Sequence, residues 1–351
     1  MVNDRTIWLA LAMLGYMTVG TFLPDGLKQD EQFQVVRWAL STSIFMLAVF
    51  VAAQRWLDQP RYHARLIVSV AFVASLLAIA HYFWAGQYPS RISGFGYLSH
   101  PILGPSALIA FWAVGMVTYR LDENRERFDH LVMGLSALSI LILVILSQSR
   151  GPLGALLAFM VLYSASVLLV SRRARARQYL VGGVILALVF AAAAYPFLSD
   201  LLAGMVARGF SHRPQIWMTV IQNPPESIWI GAGAASDFRN SEAGLLLHEQ
   251  MGVAIKHPHD LLLSAWHYSG FIGAGLLLLL LGWVLVRIVR QLGTAHRRLV
   301  PFALLLLLLI GLLNLTDGHM VIAPPSPDWL FFWLPLAYLM ALARCCESRG
   351  E

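Results

Sequence analysis

The chain has 351 residues, of which 58% are hydrophobic and 13% are charged, and its mean hydropathy is +0.66. Soluble domains carry about a quarter charged residues, so this composition excludes that class and predicts a helical membrane protein. The net charge of +6 and the pI of about 9.5 would fit nucleic-acid binding. The Arg residues lie in short loops between apolar runs, however, so no nucleic-acid partner is expected.

Ten apolar runs, each close to the length of a membrane span, predict ten transmembrane helices. The runs cover residues 6–24, 33–54, 64–86, 101–119, 130–148, 152–171, 178–197, 260–286, 299–316 and 327–343. We therefore expect an all-α polytopic membrane protein, with residues 1–351 in a single integral membrane domain. The one long polar interruption is the loop 198–259.

The Lys and Arg residues predict how these helices are oriented. One set of alternate loops, with both termini, holds 17 of the 25 Lys and Arg residues, whereas the other set holds seven. The seven are Lys28, Arg91, Arg150, Arg208, Arg213, Arg239 and Lys256. Because positive residues accumulate in the cytoplasm, we expect cytoplasmic termini and an outward-facing loop 198–259, periplasmic in a Gram-negative host.

Several outer arginines are candidate ligands for an anion, because the positive-inside bias acts against placing them there. Arg150 lies in a tight turn between two apolar runs, and Arg208 and Arg213 lie in a basic cluster of the long loop. Arg91 lies in an outer segment ahead of the fourth run. A guanidinium binds phosphate through two parallel hydrogen bonds, which favours an anionic lipid-linked substrate. The alternative is that each side chain simply extends to the lipid headgroups.

His257 and His259 end the long loop immediately before an apolar run. Pro258 and Asp260 are typical of the first turn of a helix, which places His259 near the positive end of a helix dipole. That field and any nearby Arg should keep the imidazole neutral, as a general base must be. Trp266, seven residues later, is expected on the same helical face, where it either packs in the core or stacks on a sugar.

The histidine pair also has a metal-binding interpretation. His257 and His259, with Asp260 and His248, could supply ligands for zinc. The sequence has no His-Glu-x-x-His motif, and Pro258 restricts the geometry of the pair. We therefore expect no metal and no cofactor.

Three short motifs follow one another along the chain. Ser-Gln-Ser-Arg-Gly-Pro-Leu-Gly-Ala-Leu stands at residues 147–156, and Arg213 is followed by Trp217 in the large outer loop. His259-Asp260-Leu-Leu-Leu is followed by Ser-Gly-Phe-Ile-Gly at residues 269–273. In this order the motifs resemble the O-antigen ligase family, which includes lipopolysaccharide O-antigen ligases, O-antigen polymerases and protein O-oligosaccharyltransferases. The chain departs from the family in having fewer predicted spans, and in carrying Asp260 where Asn is common.

The resemblance, which covers about residues 88–320, implies a GT-C-type glycosyltransferase of the bacterial inner membrane. It implies a glycan on undecaprenyl pyrophosphate as donor and a sugar hydroxyl of lipid A-core as acceptor, with membrane lipids as further partners. The residues that match the family's catalytic centre are Arg150, Arg213 and His259. The candidate substrate-binding residues are Arg91, Arg208, His257, Trp217 and Trp266.

Other functions use the same features. An O-antigen polymerase or a protein O-oligosaccharyltransferase would take the same donor and a different acceptor. A transporter would place Arg and His side chains along a substrate path through the membrane. The spans lack acidic residues at mid-membrane and clear helix-breaking pairs, which weighs against a transporter.

Overall fold

The computed structural model describes residues 4–92, 94, 96–122, 126–170, 199, 203 and 212–348. Within these ranges the regular structure is helical and no β-strand occurs. The helices of ten or more residues are α1 (Arg5–Val19), α2 (Gln29–Trp56), α3 (Pro60–Trp84), α4 (Leu103–Thr118), α5 (Arg127–Leu146), α6 (Arg150–Val170), α7 (Arg213–Gln222), α8 (Glu242–Met251), α9 (Leu261–Arg290), α10 (Val300–Asp317) and α11 (Leu334–Ser348). A π-helical turn, Trp329–Trp333, leads directly into α11.

Seven of the described helices are long and apolar enough to cross a membrane. They are α2, α3, α5, α6, α9, α10 and α11 with its π-helical turn. The chain is therefore an all-helical polytopic membrane protein, as the sequence predicted. The predicted spans 6–24 and 101–119 form the shorter helices α1 and α4, of 15 and 16 residues. The predicted span 178–197 lies outside the described residues.

Helix α4 is surrounded by other helices rather than by lipid. Every residue of α4 except Phe111 is buried. The helix packs against α3, α10 and the π-helical turn before α11. A Cβ on Gly115 would lie 2.7 Å from the Val68 side chain, so this glycine lets α3 and α4 approach closely. Close packing at Gly115 and buried hydrogen bonds, such as that from Trp112 Nε1 to Ser136 Oγ at 3.0 Å, thus hold α4 in the bundle.

Two ion-pair clusters join the helices at one end of the bundle. At the start of α5, Asp129 accepts a hydrogen bond from Arg61 Nε of α3 at 3.1 Å. At the end of α9, Arg287 donates to Asp4 at 2.8 Å and to Glu347 at 2.9 Å. Buried charges are tolerated when they are paired in this way. Both clusters adjoin the arginine-rich loops, so the starts of α6 and α9 and the end of α10 lie at the opposite end.

Helix α9 is broken at Gly270, whose φ of +64° and ψ of −171° are not helical. A loop segment enters the break and replaces the lost helical hydrogen bonds. Phe271 N donates to Ile228 O at 2.9 Å, and Ala232 N donates to His267 O at 2.9 Å. A break in a membrane helix is stable when its freed backbone groups are satisfied in this way. The predicted span at 260–286 is confirmed as a candidate span, and the break within it was not predicted, because the bonding partners lie in an earlier loop.

Replacing Gly270 with alanine is expected to destabilise the fold strongly. A Cβ there would lie 2.1 Å from the carbonyl carbon of Trp229, and the backbone conformation alone costs a non-glycine residue about 1–3 kcal/mol. Gly275→Ala on the same helix is the matched control, because an added Cβ there meets nothing within 4 Å. Thermal unfolding in detergent measures both variants. Equal melting temperatures would contradict the broken-helix geometry.

Candidate active site

Six short segments meet at the end of the bundle opposite the two ion-pair clusters. They are residues 89–92 together with 100–101, 147–151, 212–213, 257–261, 317–319 and 328. The starts of helices and the end of α10 come together here. A Cβ on Gly318 would lie 2.9 Å from the backbone nitrogen of Leu261, so the end of α10 touches the start of α9. This is the only region in which the candidate catalytic residues are brought near one another in the described part of the chain.

Arg213, the first residue of α7, pairs with Asp317, the last residue of α10. Arg213 Nη2 donates to Asp317 Oδ1 at 2.5 Å, and the two side chains are 18% and 3% exposed. Asp317 Oδ2 is buried and accepts no hydrogen bond from the described residues. The ion pair therefore fixes the position of the Arg213 guanidinium at the border of the site. The contact uses one of the five N–H groups of the guanidinium.

The start of α6 lies against the same carboxylate. A Cβ on Gly151 would lie 2.4 Å from Thr316 Oγ1 and 3.1 Å from Asp317 Oδ2. Arg150, one residue earlier, begins the helix and is partly buried. Asp317 thus has the Arg213 guanidinium on one side and the start of α6 on the other. Arg213 and the start of α6, which carries Arg150, therefore adjoin the same residue.

Replacing Gly151 with alanine is expected to impair the site without unfolding the protein. The added methyl would push Thr316 and Asp317 away from α6, and Arg213 would move with its carboxylate partner. Gly154→Ala on the same helix is the matched control, because nothing lies within 4 Å of its Cβ. We expect at least a tenfold lower activity for Gly151→Ala at a similar melting temperature. Full activity would show that the close approach of α6 and α10 is dispensable.

Three histidine rings lie in a row beside the Arg213–Asp317 pair. The ring centroid of His257 is 4.0 Å from that of His259 and 3.8 Å from that of His319. His319 Nδ1 lies 3.4 Å from Asp328 Oδ1. The backbone N–H of His259 donates to His257 Nδ1 at 3.3 Å, so a neutral His257 carries its proton on Nε2. The predicted histidine pair is therefore a trio that ends on a carboxylate.

The environment keeps the imidazole of His259 uncharged. Burial first, and then the neighbouring His319 and Arg213, together lower the pKa of His259 to about 4. Burial, followed by His319 and His259, also lowers the pKa of His257. The sequence predicted a neutral His259 from a helix dipole and a nearby arginine. The arginine is present, but burial is the largest cause.

The start of α9 differs in detail from its prediction. The helix begins at Leu261, and Asp260 is its N-cap, with Oδ1 accepting from Leu263 N at 2.7 Å. Pro258 and His259 thus precede the helix rather than forming its first turn. His259 has a φ of +58°, so Trp266 does not share a helical face with it. Burial raises the pKa of the Asp260 carboxyl, while the capping hydrogen bonds oppose that shift.

Left-handed backbone occurs at three non-glycine residues of the described chain, and all three border the site. Gln148, His212 and His259 have φ values of +51°, +58° and +58°. Gln148 stands two residues before α6, and His212 stands one residue before α7. Such conformations cost free energy and persist where surrounding contacts fix them, which is common at functional sites.

The remaining predicted substrate-binding residues are placed differently. Arg91 donates from Nε to Ser147 O at 2.9 Å and from Nη2 to Ser149 Oγ at 2.7 Å. Trp217 and Trp266 pack on the apolar cluster where α7 and α8 meet α9. Their indole N–H groups are buried without an acceptor among the described residues, so packing is the contact that the structure records for both. Arg208 lies outside the described residues.

Within the described ranges, no three or more His, Cys, Asp or Glu side chains are grouped so that they could hold a metal ion.

Sequence reasoning gave no role to Asp317, His319 or Asp328. Each is a single polar residue beside an apolar run, which is an ordinary position for a span boundary. The available signal was the polar ending of α10, where Asn314, Thr316 and Asp317 follow a leucine-rich run. That signal does not say which loop the residues meet.

The matched stretch of a protein-family model covers part of this site. The model described as O-Antigen ligase matches residues 134–278, from within α5 to within α9, and so includes Arg150, Arg213 and His259. The chain is also 27% identical over 288 residues to a protein named O-antigen ligase from Pseudomonas aeruginosa, an alignment that covers 80% of this chain. By both comparisons the chain is similar to the O-antigen ligase family. The resemblance inferred from the three motifs is thereby confirmed.

The chain spans 65% of the length of that Pseudomonas aeruginosa relative. This similarity is consistent with a multi-pass membrane protein whose polar residues gather at one end of the helices. The family match covers the three predicted catalytic residues but leaves the end of α10, with Asp317 and His319, beyond its boundary.

Proposed function

We propose that the protein is a GT-C-type membrane glycosyltransferase that moves O-antigen glycan from undecaprenyl pyrophosphate to a sugar hydroxyl of lipid A-core. The observation that supports this most strongly is one arrangement of side chains. The start of α6 at Arg150 and the guanidinium of Arg213 meet at Asp317, beside the uncharged imidazole of His259. A positive anion site next to a neutral base suits a reaction with a diphosphate leaving group.

In the proposed reaction His259 removes the proton of the acceptor hydroxyl. The acceptor oxygen forms a bond to the anomeric carbon, and the bond from that carbon to the diphosphate oxygen breaks with its electron pair on the diphosphate. Attack from the face opposite the leaving group inverts the anomeric centre. General base catalysis of this kind contributes roughly 10²–10⁴ in rate. The positive charge of Arg213 disfavours the imidazolium, so His259 releases its proton readily after each turnover.

Arg150 and Arg213 stabilise the charge that develops on the diphosphate. A lipid diphosphate leaves as an anion, so it needs no proton donor, and no metal is required for the step. Guanidinium groups keep their charge at every relevant pH and bind phosphate through paired N–H groups. Asp317 holds Arg213 in place before the donor arrives, and its own side chain is only 3% exposed. Arg208, His257, Trp217 and Trp266 remain candidates for contacts to the donor or acceptor.

The site is proposed to face the periplasm. The two ion-pair clusters lie at the arginine-rich end of the bundle, and the positive-inside rule assigns that end to the cytoplasm together with both termini. The candidate site lies at the opposite end, where lipid-linked glycans are available in the outer leaflet. The fold would then comprise about ten spans of the bacterial inner membrane, with the loop 198–259 over the site.

Deletion of the gene, followed by gel analysis of lipopolysaccharide and lipid-linked glycan, tests this function. A ligase predicts loss of all O-antigen bands from lipid A-core, with accumulation of polymer on the lipid carrier. A single-repeat band would instead identify an O-antigen polymerase, and loss of protein glycosylation with normal lipopolysaccharide would identify an O-oligosaccharyltransferase. If lipopolysaccharide, lipid-linked glycan and protein glycosylation were all unchanged, the proposal would be contradicted.

A further inference from the structure

The segment that carries Arg91 is joined to the turn before α6 by five hydrogen bonds. Arg91 itself makes two of them, to Ser147 O and to Ser149 Oγ, at 2.9 Å and 2.7 Å. The other three are Ile92 N to Leu146 O at 3.0 Å, Gln148 Nε2 to Pro89 O at 3.0 Å, and Ser149 Oγ to Pro101 O at 2.8 Å. The outer segment therefore makes hydrogen bonds to both backbone and side-chain atoms of the turn.

The turn needs such support because its backbone is unfavourable. Ser147 is the C-cap of α5, and its carbonyl has no helical partner, so Arg91 Nε satisfies it. Gln148 follows in left-handed backbone at φ +51°, which a side chain with a Cβ adopts only at a cost. Ser147 and Ser149 are buried, and α6 begins at the next residue, Arg150. The direction of Arg150 therefore depends on how this turn is held.

We propose that Arg91 is a positioning residue, which fixes the Ser147–Ser149 turn and so directs Arg150 towards the substrate diphosphate. This inference rests on the proposed function and alters one part of it, since Arg91 was a candidate ligand for the substrate. Its Nε and Nη2 donors are engaged with the turn. A guanidinium suits the role because its planar fork can reach a backbone carbonyl and a hydroxyl together.

A double-mutant cycle between Arg91 and Ser149 tests the contact. R91Q and S149A should each lower kcat/KM for an undecaprenyl-pyrophosphate glycan about tenfold, and the double variant should lose little more, because both changes release the same turn. R239Q is the charge-matched control, since Arg239 is exposed and pairs with Asp237 away from the site. If S149A behaves like wild type while R91Q alone raises KM, Arg91 contacts the substrate directly and the proposal is wrong.

A second cycle asks whether Arg91 acts through Arg150. In an R150K background, R91Q should cause little further loss of kcat/KM, because the guanidinium that Arg91 positions is already absent. An undiminished tenfold loss in that background would overturn the assignment. This readout separates positioning from a general effect on stability, which would persist whatever residue stands at position 150.

Hydrogen exchange provides a test that does not depend on the proposed reaction. R91Q and S149A should speed amide exchange in peptides that cover residues 146–153, while R239Q should not. If wild-type protein transfers no glycan but exchange rises in this way, the proposed function fails and the structural part of the inference stands. If exchange is unchanged, Arg91 does not hold the turn and the inference fails, whatever the activity.

Discussion

His259→Ala is expected to lower glycan transfer roughly 10²–10⁴-fold while the protein still inserts in the membrane. The imidazole of His259 is uncharged and lies close enough to Arg213 to feel its charge, so its removal takes away the proposed base. Transfer by purified protein in nanodiscs, with a defined lipid-linked glycan and lipid A-core, measures the loss. His248→Ala on α8 is the matched control, because that histidine is exposed.

The pH dependence of glycan transfer by the wild-type protein should reflect the pKa of His259. A base whose pKa is about 4 is uncharged at every pH above that value. Transfer should therefore fall only as the pH drops towards 4, where His259 gains its proton, and not near the ordinary histidine value of about 6.5. A loss of kcat/KM centred near 6.5 would mean that His259 is solvated or that another group acts as the base.

Arg213→Lys is expected to reduce transfer about 10²-fold although the positive charge is kept. Lysine offers a point charge in place of the planar fork, so one set of paired hydrogen bonds to the diphosphate is lost. Arg150→Lys should impair transfer for the same reason. Arg239→Lys serves as the control, because its partner Asp237 lies outside the site. Wild-type transfer rates for Arg150→Lys and Arg213→Lys would show that paired hydrogen bonds from these two residues to the diphosphate are not needed.

Lysine is a better test at position 213 than alanine. Asp317 is 3% exposed and would be left buried without its charged partner in Arg213→Ala. Breaking a buried ion pair from one side costs about 3–5 kcal/mol, so lost activity in that variant would mix catalysis with folding. The double variant Arg213→Ala with Asp317→Asn should recover stability without recovering transfer, which separates the two effects.

The sequence predicted the elements of the fold well where the signal is local. Apolar runs place the long helices, and the residue types at Arg150, Arg213 and His259 indicate phosphate and proton chemistry. The lengths of α1 and α4 were overestimated, because hydropathy does not distinguish a helix that faces lipid from one enclosed by protein. The catalytic roles assigned to these three residues remain predictions that the experiments above will test.

Contacts between distant parts of the chain could not be predicted. The break at Gly270 depends on hydrogen bonds from a loop that precedes α9 by several elements. The approach of Asp317 to Arg213 depends on where α10 ends relative to α7, and no local pattern encodes that. Arg91 carried the right chemistry for a phosphate ligand, but its partners in the turn before α6 became visible only in three dimensions.

A structure of the protein with undecaprenyl pyrophosphate, determined by cryo-electron microscopy in nanodiscs, tests the central claim most directly. We expect the diphosphate to lie within hydrogen-bond distance, about 3 Å, of the guanidinium groups of Arg150 and Arg213, with His259 open to the adjoining space. A diphosphate bound instead at the other end of the bundle, in the cleft of about 460 Å³ lined by Arg61 and Arg65, would contradict it.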